Sequence, residues 1–100
     1  MKFKDLKFKK QTHGGVGATA EFKDIIVSIQ GGQFVYSTPR KDLLDSSQYT
    51  SFEVAIFDKE GRFITEKFIE DCADGEVSGW TPKERIEQLL EDLCQLFFVY

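Results

Sequence analysis

The chain is poor in the residues that usually carry chemistry. It has one histidine, two cysteines, two prolines and one tryptophan among 100 residues. Cys72 and Cys94 form no C-x-x-C pair and His13 is distant from both in sequence, so a zinc site is not expected. Cys94 reads as a small buried residue on an apolar helix face, and Cys72 lies in an acidic loop that disfavours a thiolate. With so few candidate groups, no nucleophile, base and orienting acid can be assembled, and no enzymatic activity, metal or cofactor is expected. Long apolar runs are also absent. The longest, Leu96 to Tyr100, is far too short to span a membrane. No apolar core follows the basic start Met1-Lys2-Phe3-Lys4, so a signal peptide is not expected and the location expected is cytoplasmic. Arginine occurs only as Arg40, Arg62 and Arg85, which leaves few forked donors for a phosphate backbone.

Phenylalanine, by contrast, is plentiful, with ten copies. A single domain spanning 1–100 can build its core largely from these rings. The formal net charge of −4 conceals an asymmetry: residues 1–50 carry an excess of cations and residues 51–100 an excess of anions. Such blocks select which partner is attracted and which surface meets it.

Alternation of apolar and polar residues marks strands. Phe3, Leu6 and Phe8 among lysines read as an edge strand, with lysine discouraging unwanted pairing. Gln11 to Gly15 reads as a turn, and Val16, Ala18, Ala20 and Phe22 as a half-buried strand. After Lys23-Asp24, Ile25, Val27 and Ile29 begin another strand; Gly31-Gly32 then predicts a hairpin into a short strand at Phe34 and Tyr36. Pro39 and its polar neighbours predict a loop from Ser37 to Tyr49, with one helical turn near Lys41 to Asp45. Phe52, Val54 and Ile56 mark the clearest strand, and Ala55 and Phe57 on its other face suggest cover on both sides. The turn Asp58-Lys59-Glu60-Gly61 returns the chain as a paired strand from Phe63 to Phe68. Glu70 to Gly79 reads as an acidic loop.

The last quarter carries a helix. Thr81 is the expected cap, Pro82 suits the first helical position, and Glu84 falls where a capping box needs an acid. Ile86, Leu89, Leu90, Leu93, Cys94 and Phe97 then recur at helical spacing. The fold class expected is α+β: a mostly antiparallel sheet of five or six strands with helix 81–97 packed across one face.

Three surfaces are candidates for binding. Glu84, Glu87, Glu91 and Asp92, approached by Asp71, Asp74 and Glu76, form an acidic face; carboxylates one turn apart can imitate a nucleic-acid backbone to a basic protein groove. A plain solvated face is the bland alternative. Tyr36, Ser37, Thr38 and Arg40 join an aromatic, two hydroxyls and a cation, a set suited to a small anionic ligand such as a signalling nucleotide. Leu96, Phe98, Val99 and Tyr100 form an apolar tail that a homodimer would cover. Lys2, Lys4, Lys7, Lys9 and Lys10 with Phe3 and Phe8 suit single-stranded nucleic acid, but the acidic chain argues against direct nucleic-acid binding. Gly14-Gly15-Val16-Gly17 lacks the strand before and helix after that a dinucleotide loop needs.

Phe8, His13-Gly14-Gly15, Val16-x-Ala18, Phe22, Val27-Ser28, Phe52-Glu53-Val54-Ala55-Ile56 and Val77-x-Gly79-Trp80 before a helix together resemble a family of small uncharacterised bacteriophage proteins. The resemblance implies a phage product in a bacterial cytoplasm that binds and modulates or inhibits a host protein, a defence component included. It carries no catalytic residues to transfer.

Overall fold

Strand order follows chain order. The computed structural model describes residues 2–12, 14–69, 72 and 76–96. Its sheet is an antiparallel meander of β1 (Lys9–Lys10), β2 (Val16–Phe22), β3 (Ile25–Gly31), β4 (Ser51–Asp58) and β5 (Val77–Pro82), and α1 (Lys83–Leu96) follows β5 directly. The α+β class read from the sequence is the class observed.

Registers explain the core. Ala18 faces Ile29 and Ala20 faces Val27 across β2–β3, while Val27 faces Ile56 and Ile29 faces Val54 across β3–β4. Period-2 alternation puts all of these on one side of the sheet, where they join Ile86, Leu89, Leu90 and Leu93 of α1 in a single apolar cluster. Phe22 pairs with Ile25, so Lys23 and Asp24 alone turn the chain; Asp24 takes φ 65°, a left-handed backbone that a short polar side chain tolerates.

Several segments depart from the sequence reading. Phe3 to Phe8 is not a strand. Phe3–Asp5 forms a 3₁₀ turn, and only Lys9–Lys10 pair with the sheet. The cause is aromatic packing: the Phe3 and Phe8 rings lie 5.7 Å apart and each sits 5.4 Å from buried Phe52, which pulls the segment off the edge and inward. Both rings are half-buried there. The Gly31-Gly32 hairpin is absent and no strand forms at Phe34 and Tyr36. Instead, Gly31 ends β3 with its α-carbon against the Tyr49 ring, where a side chain would approach within 2.9 Å, and the Gly32 N–H donates to Ser37 Oγ at 3.1 Å. The helical turn lies at Ser46–Gln48 and not at Lys41 to Asp45, because Asp45 caps it by accepting from Ser47 N–H at 2.9 Å.

Phe63 to Phe68 is likewise not a full strand. Phe63 bridges Phe57, their rings 4.7 Å apart, and then Thr65–Lys67 coil into a 3₁₀ turn. Buried Thr65 causes the turn. Its hydroxyl accepts from Ile56 N–H at 2.8 Å and donates to the Glu76 carbonyl at 2.6 Å, tying β4 to the approach to β5. Thr65→Val keeps the shape but leaves the buried Ile56 N–H without its acceptor and the part-buried Glu76 carbonyl without this donor. It is expected to cost about 2 kcal/mol, measured by urea unfolding, with faster amide exchange at Ile56.

The final strand lies where an acidic loop was expected. Val77–Pro82 pairs with β4, and the helix begins at Lys83. Thr81 does not cap it. Its hydroxyl is buried, 2.8 Å from Ser78 Oγ and 3.1 Å from the Ser78 carbonyl. His13, Asp71, Asp74, Phe97, Phe98, Val99 and Tyr100 lie outside the described residues.

Candidate functional site

The site grows from an irregularity in β5. Phe52 pairs with Thr81, but Val54 pairs with Ser78, so Gly79 and Trp80 together stand opposite Glu53. Two residues against one is a β-bulge, which re-aims side chains. Ser78 and Thr81 both point inward. Trp80 is turned outward, 57 % exposed, at φ 51°. A bulky residue in the left-handed region is uncommon and strained.

Tyr36 meets that indole. The ring centroids lie 4.9 Å apart at 31°. Three contacts hold Tyr36 in place: its N–H donates to Glu53 Oε2 at 2.9 Å, its carbonyl accepts from Trp80 N–H at 2.8 Å, and its Cβ lies over Gly79, where a further Cβ would come within 2.9 Å. Arg40 stacks its guanidinium 5.0 Å from the Tyr36 ring centre and donates from Nε to the Val35 carbonyl at 3.2 Å. Cation–π and ring stacking therefore join Arg40, Tyr36 and Trp80 into one exposed platform. Phe34, also exposed, lies two residues from Tyr36 in the same loop.

Of the four residues nominated in this loop, three reach the surface: Tyr36, Thr38 and Arg40. Ser37 is buried, donating from its hydroxyl to the Pro39 carbonyl at 2.9 Å while accepting from Gly32 N–H. Thr38 is exposed, but its hydroxyl accepts from Ser51 Oγ at 2.8 Å and its backbone bridges Ser51. Trp80 escaped nomination. Its available signal was a lone tryptophan between glycine and Thr-Pro in a polar stretch, which marks an irregular strand end.

The acidic face assembles in part. Glu84, Glu91 and Asp92 are exposed on α1, and Asp92 accepts from Gln88 Nε2 at 3.0 Å. Glu87 is half-buried. Its Oε1 accepts the Phe3 N–H at 3.0 Å, so this carboxylate anchors the N-terminal turn. Glu76 is exposed before β5. Leu96, the one described residue of the apolar tail, is 68 % exposed.

The perturbed carboxylates lie elsewhere, in turns. The Arg62 backbone N–H, aided by its guanidinium and by the Glu60 N–H, holds Asp58 below the usual carboxylate range. The Ser47 N–H does the same for Asp45. Both shifts follow from donors closing local turns. Among the described residues, no three histidine, cysteine or acidic side chains gather as metal ligands, and no helix is long and apolar enough to cross a membrane. No family model matches this chain, and neither a curated protein nor a solved structure matches it.

Proposed function

We propose that this chain is a non-catalytic binding domain that docks a protein partner through Trp80, Tyr36 and Arg40. The observation that carries the reading is Trp80 itself: a bulge and a left-handed backbone hold an indole in solvent against a second ring. Apolar burial alone would favour the opposite orientation. Tryptophan, tyrosine and arginine are the residues enriched at binding hot spots, where two or three anchors supply most of the affinity. An open platform suits a protein surface better than an enclosed small ligand, since Ser37 is buried and already hydrogen-bonded. The resemblance to small phage proteins would make the partner a host factor, defence proteins included.

Trp80→Gly tests this cleanly. Glycine accepts the left-handed backbone without strain, so relief there offsets the lost stacking and stability is expected to stay within about 1 kcal/mol. Capture of the partner from bacterial lysate, and its affinity once purified, should fall by about thirtyfold or more, the effect of losing a hot-spot anchor of about 2 kcal/mol. Unchanged capture by the folded variant would rule the platform out. The acidic row offers a second reading, supported by the exposure of Glu84, Glu91 and Asp92. Glu84→Lys with Glu91→Lys then abolishes capture where Trp80→Gly does not.

A further inference from the structure

The face of the sheet opposite α1 holds a shallow depression of about 570 Å³ between β1, β2 and β3. Lys7, Lys9, Lys10, Gln11, Thr19 and Ser28 are among its lining residues. No carboxylate and no aromatic ring lines it among the described residues. Lys9 pairs with Gly17 on this face, while Lys10 pairs with core-facing Val16, and all three lysines also line the neighbouring depression that includes Asp45. In a chain of formal net charge −4, this group of lysines is a local reversal of sign.

Strand register builds this arrangement. Lys9 pairs with Gly17, and Gly17 with Gln30; Thr19 pairs with Ser28 in the next outward-facing row. Gly17 leaves the surface low, and the Gln11 amide lies over it where any Cβ would overlap. Gln30 Nε2 donates to Ser28 Oγ at 3.2 Å, which leaves the Ser28 hydroxyl hydrogen directed elsewhere. The next residue along the first row, Glu53, lies outside the depression and accepts the Tyr36 N–H. The concavity therefore offers ammonium, amide and hydroxyl donors together.

We propose that this depression binds a small ligand bearing consecutive phosphates. Lysine serves phosphate as a mobile point charge, and hydroxyl and amide donors complete the oxygen shell. The volume falls within the range of small-ligand sites, about 300–1,000 Å³. Single-stranded nucleic acid fits the same chemistry less well. It gains affinity by stacking bases on aromatic rings, and none lines the site. A long polyanion would also meet the acidic remainder of the chain.

Inorganic tripolyphosphate is the probe, titrated by calorimetry at low ionic strength. Saturable one-to-one binding is expected, weakening as salt rises because the lysine charges are solvent-exposed. Lys7→Glu with Lys9→Glu should weaken it at least about tenfold. Thr19→Glu, which sets a carboxylate in the lining of the depression from an exposed strand position, should do the same and decides the matter even if the double variant fails to fold. Lys59→Glu, in the turn after β4 and outside the depression, should leave binding within about twofold. Absence of saturable binding overturns the proposal. So does full-strength binding by folded Thr19→Glu, or displacement of tripolyphosphate by an oligothymidylate at equal phosphate concentration.

Discussion

Phe52→Ala is expected to lower the unfolding free energy by about 3–5 kcal/mol, the range for emptying a buried aromatic site. Phe52 is fully buried on β4, and its ring lies 5.4 Å from Phe3, 5.4 Å from Phe8 and 5.6 Å from Tyr49. Three rings from two chain segments close on this one. Among the described residues, 2–8 pack on the body through Phe3, Leu6 and Phe8, and the Phe3 N–H donates to Glu87 Oε1. Removing the central ring therefore loosens the N-terminal segment as well as opening a void. Urea unfolding gives the first effect. Faster tryptic cleavage after Lys7, Lys9 and Lys10 under native conditions gives the second. Phe34→Ala, at an exposed position, should change stability by no more than about 0.5 kcal/mol. A Phe52→Ala loss below about 1.5 kcal/mol would mean that the neighbouring rings collapse into the space.

Gly15→Ala is the other large effect, expected at about 3 kcal/mol or more. Gly15 sits at φ 77°, where any side chain costs about 1–2 kcal/mol. Space adds to the penalty. A Cβ there would overlap the Gly31 carbonyl oxygen and come within 2.9 Å of the Gly32 α-carbon. Both obstacles are backbone, so no side chain can swing aside. The carbonyl of Gly15 also accepts from Gln11 N–H at 3.0 Å, closing the turn into β2. Gly61 supplies the comparison. Its φ is 80° but nothing lies within 4 Å of a Cβ, so Gly61→Ala carries the conformational cost alone, about 1 kcal/mol. Parallel thermal melts of the two variants measure the difference; equal losses would show that the Gly15 overlap relaxes freely.

How legible each element was depends on whether one period held across it. β2, β3, β4 and α1 were readable because core-facing residues recur at strand or helical spacing through Val16–Phe22, Ile25–Gly31, Ser51–Asp58 and Ile86–Leu93, with Ala55 and Phe57 apolar on the other face of β4 as well. β5 was not, because the bulge at Gly79–Trp80 shifts the alternation and glycine and proline fall inside the strand. Phe3 and Phe8 misled because they pack on Phe52, a contact between distant segments, and local sequence gives no sign of it. The candidate site divides the same way. Tyr36 and Arg40 announced themselves by residue type. Trp80 joins them only because β4 and β5 pair out of step, and Glu87 leaves the acidic face only because the N-terminal turn returns to α1.

The meander has a consequence for how the chain assembles during synthesis. Each strand docks on the one made just before it, so the sheet can grow in the order of translation. The helix that seals its apolar side comes last. At about 5–20 residues per second, α1 begins to follow β4 off the ribosome only after about one to five seconds. Through that interval the side of the sheet bearing Val27, Ile29, Val54 and Ile56 lacks its helical cover. A newborn chain of this design meets the cell first as an open sheet, and its greatest hazard of sticking to other chains falls before the last turn of helix is in place.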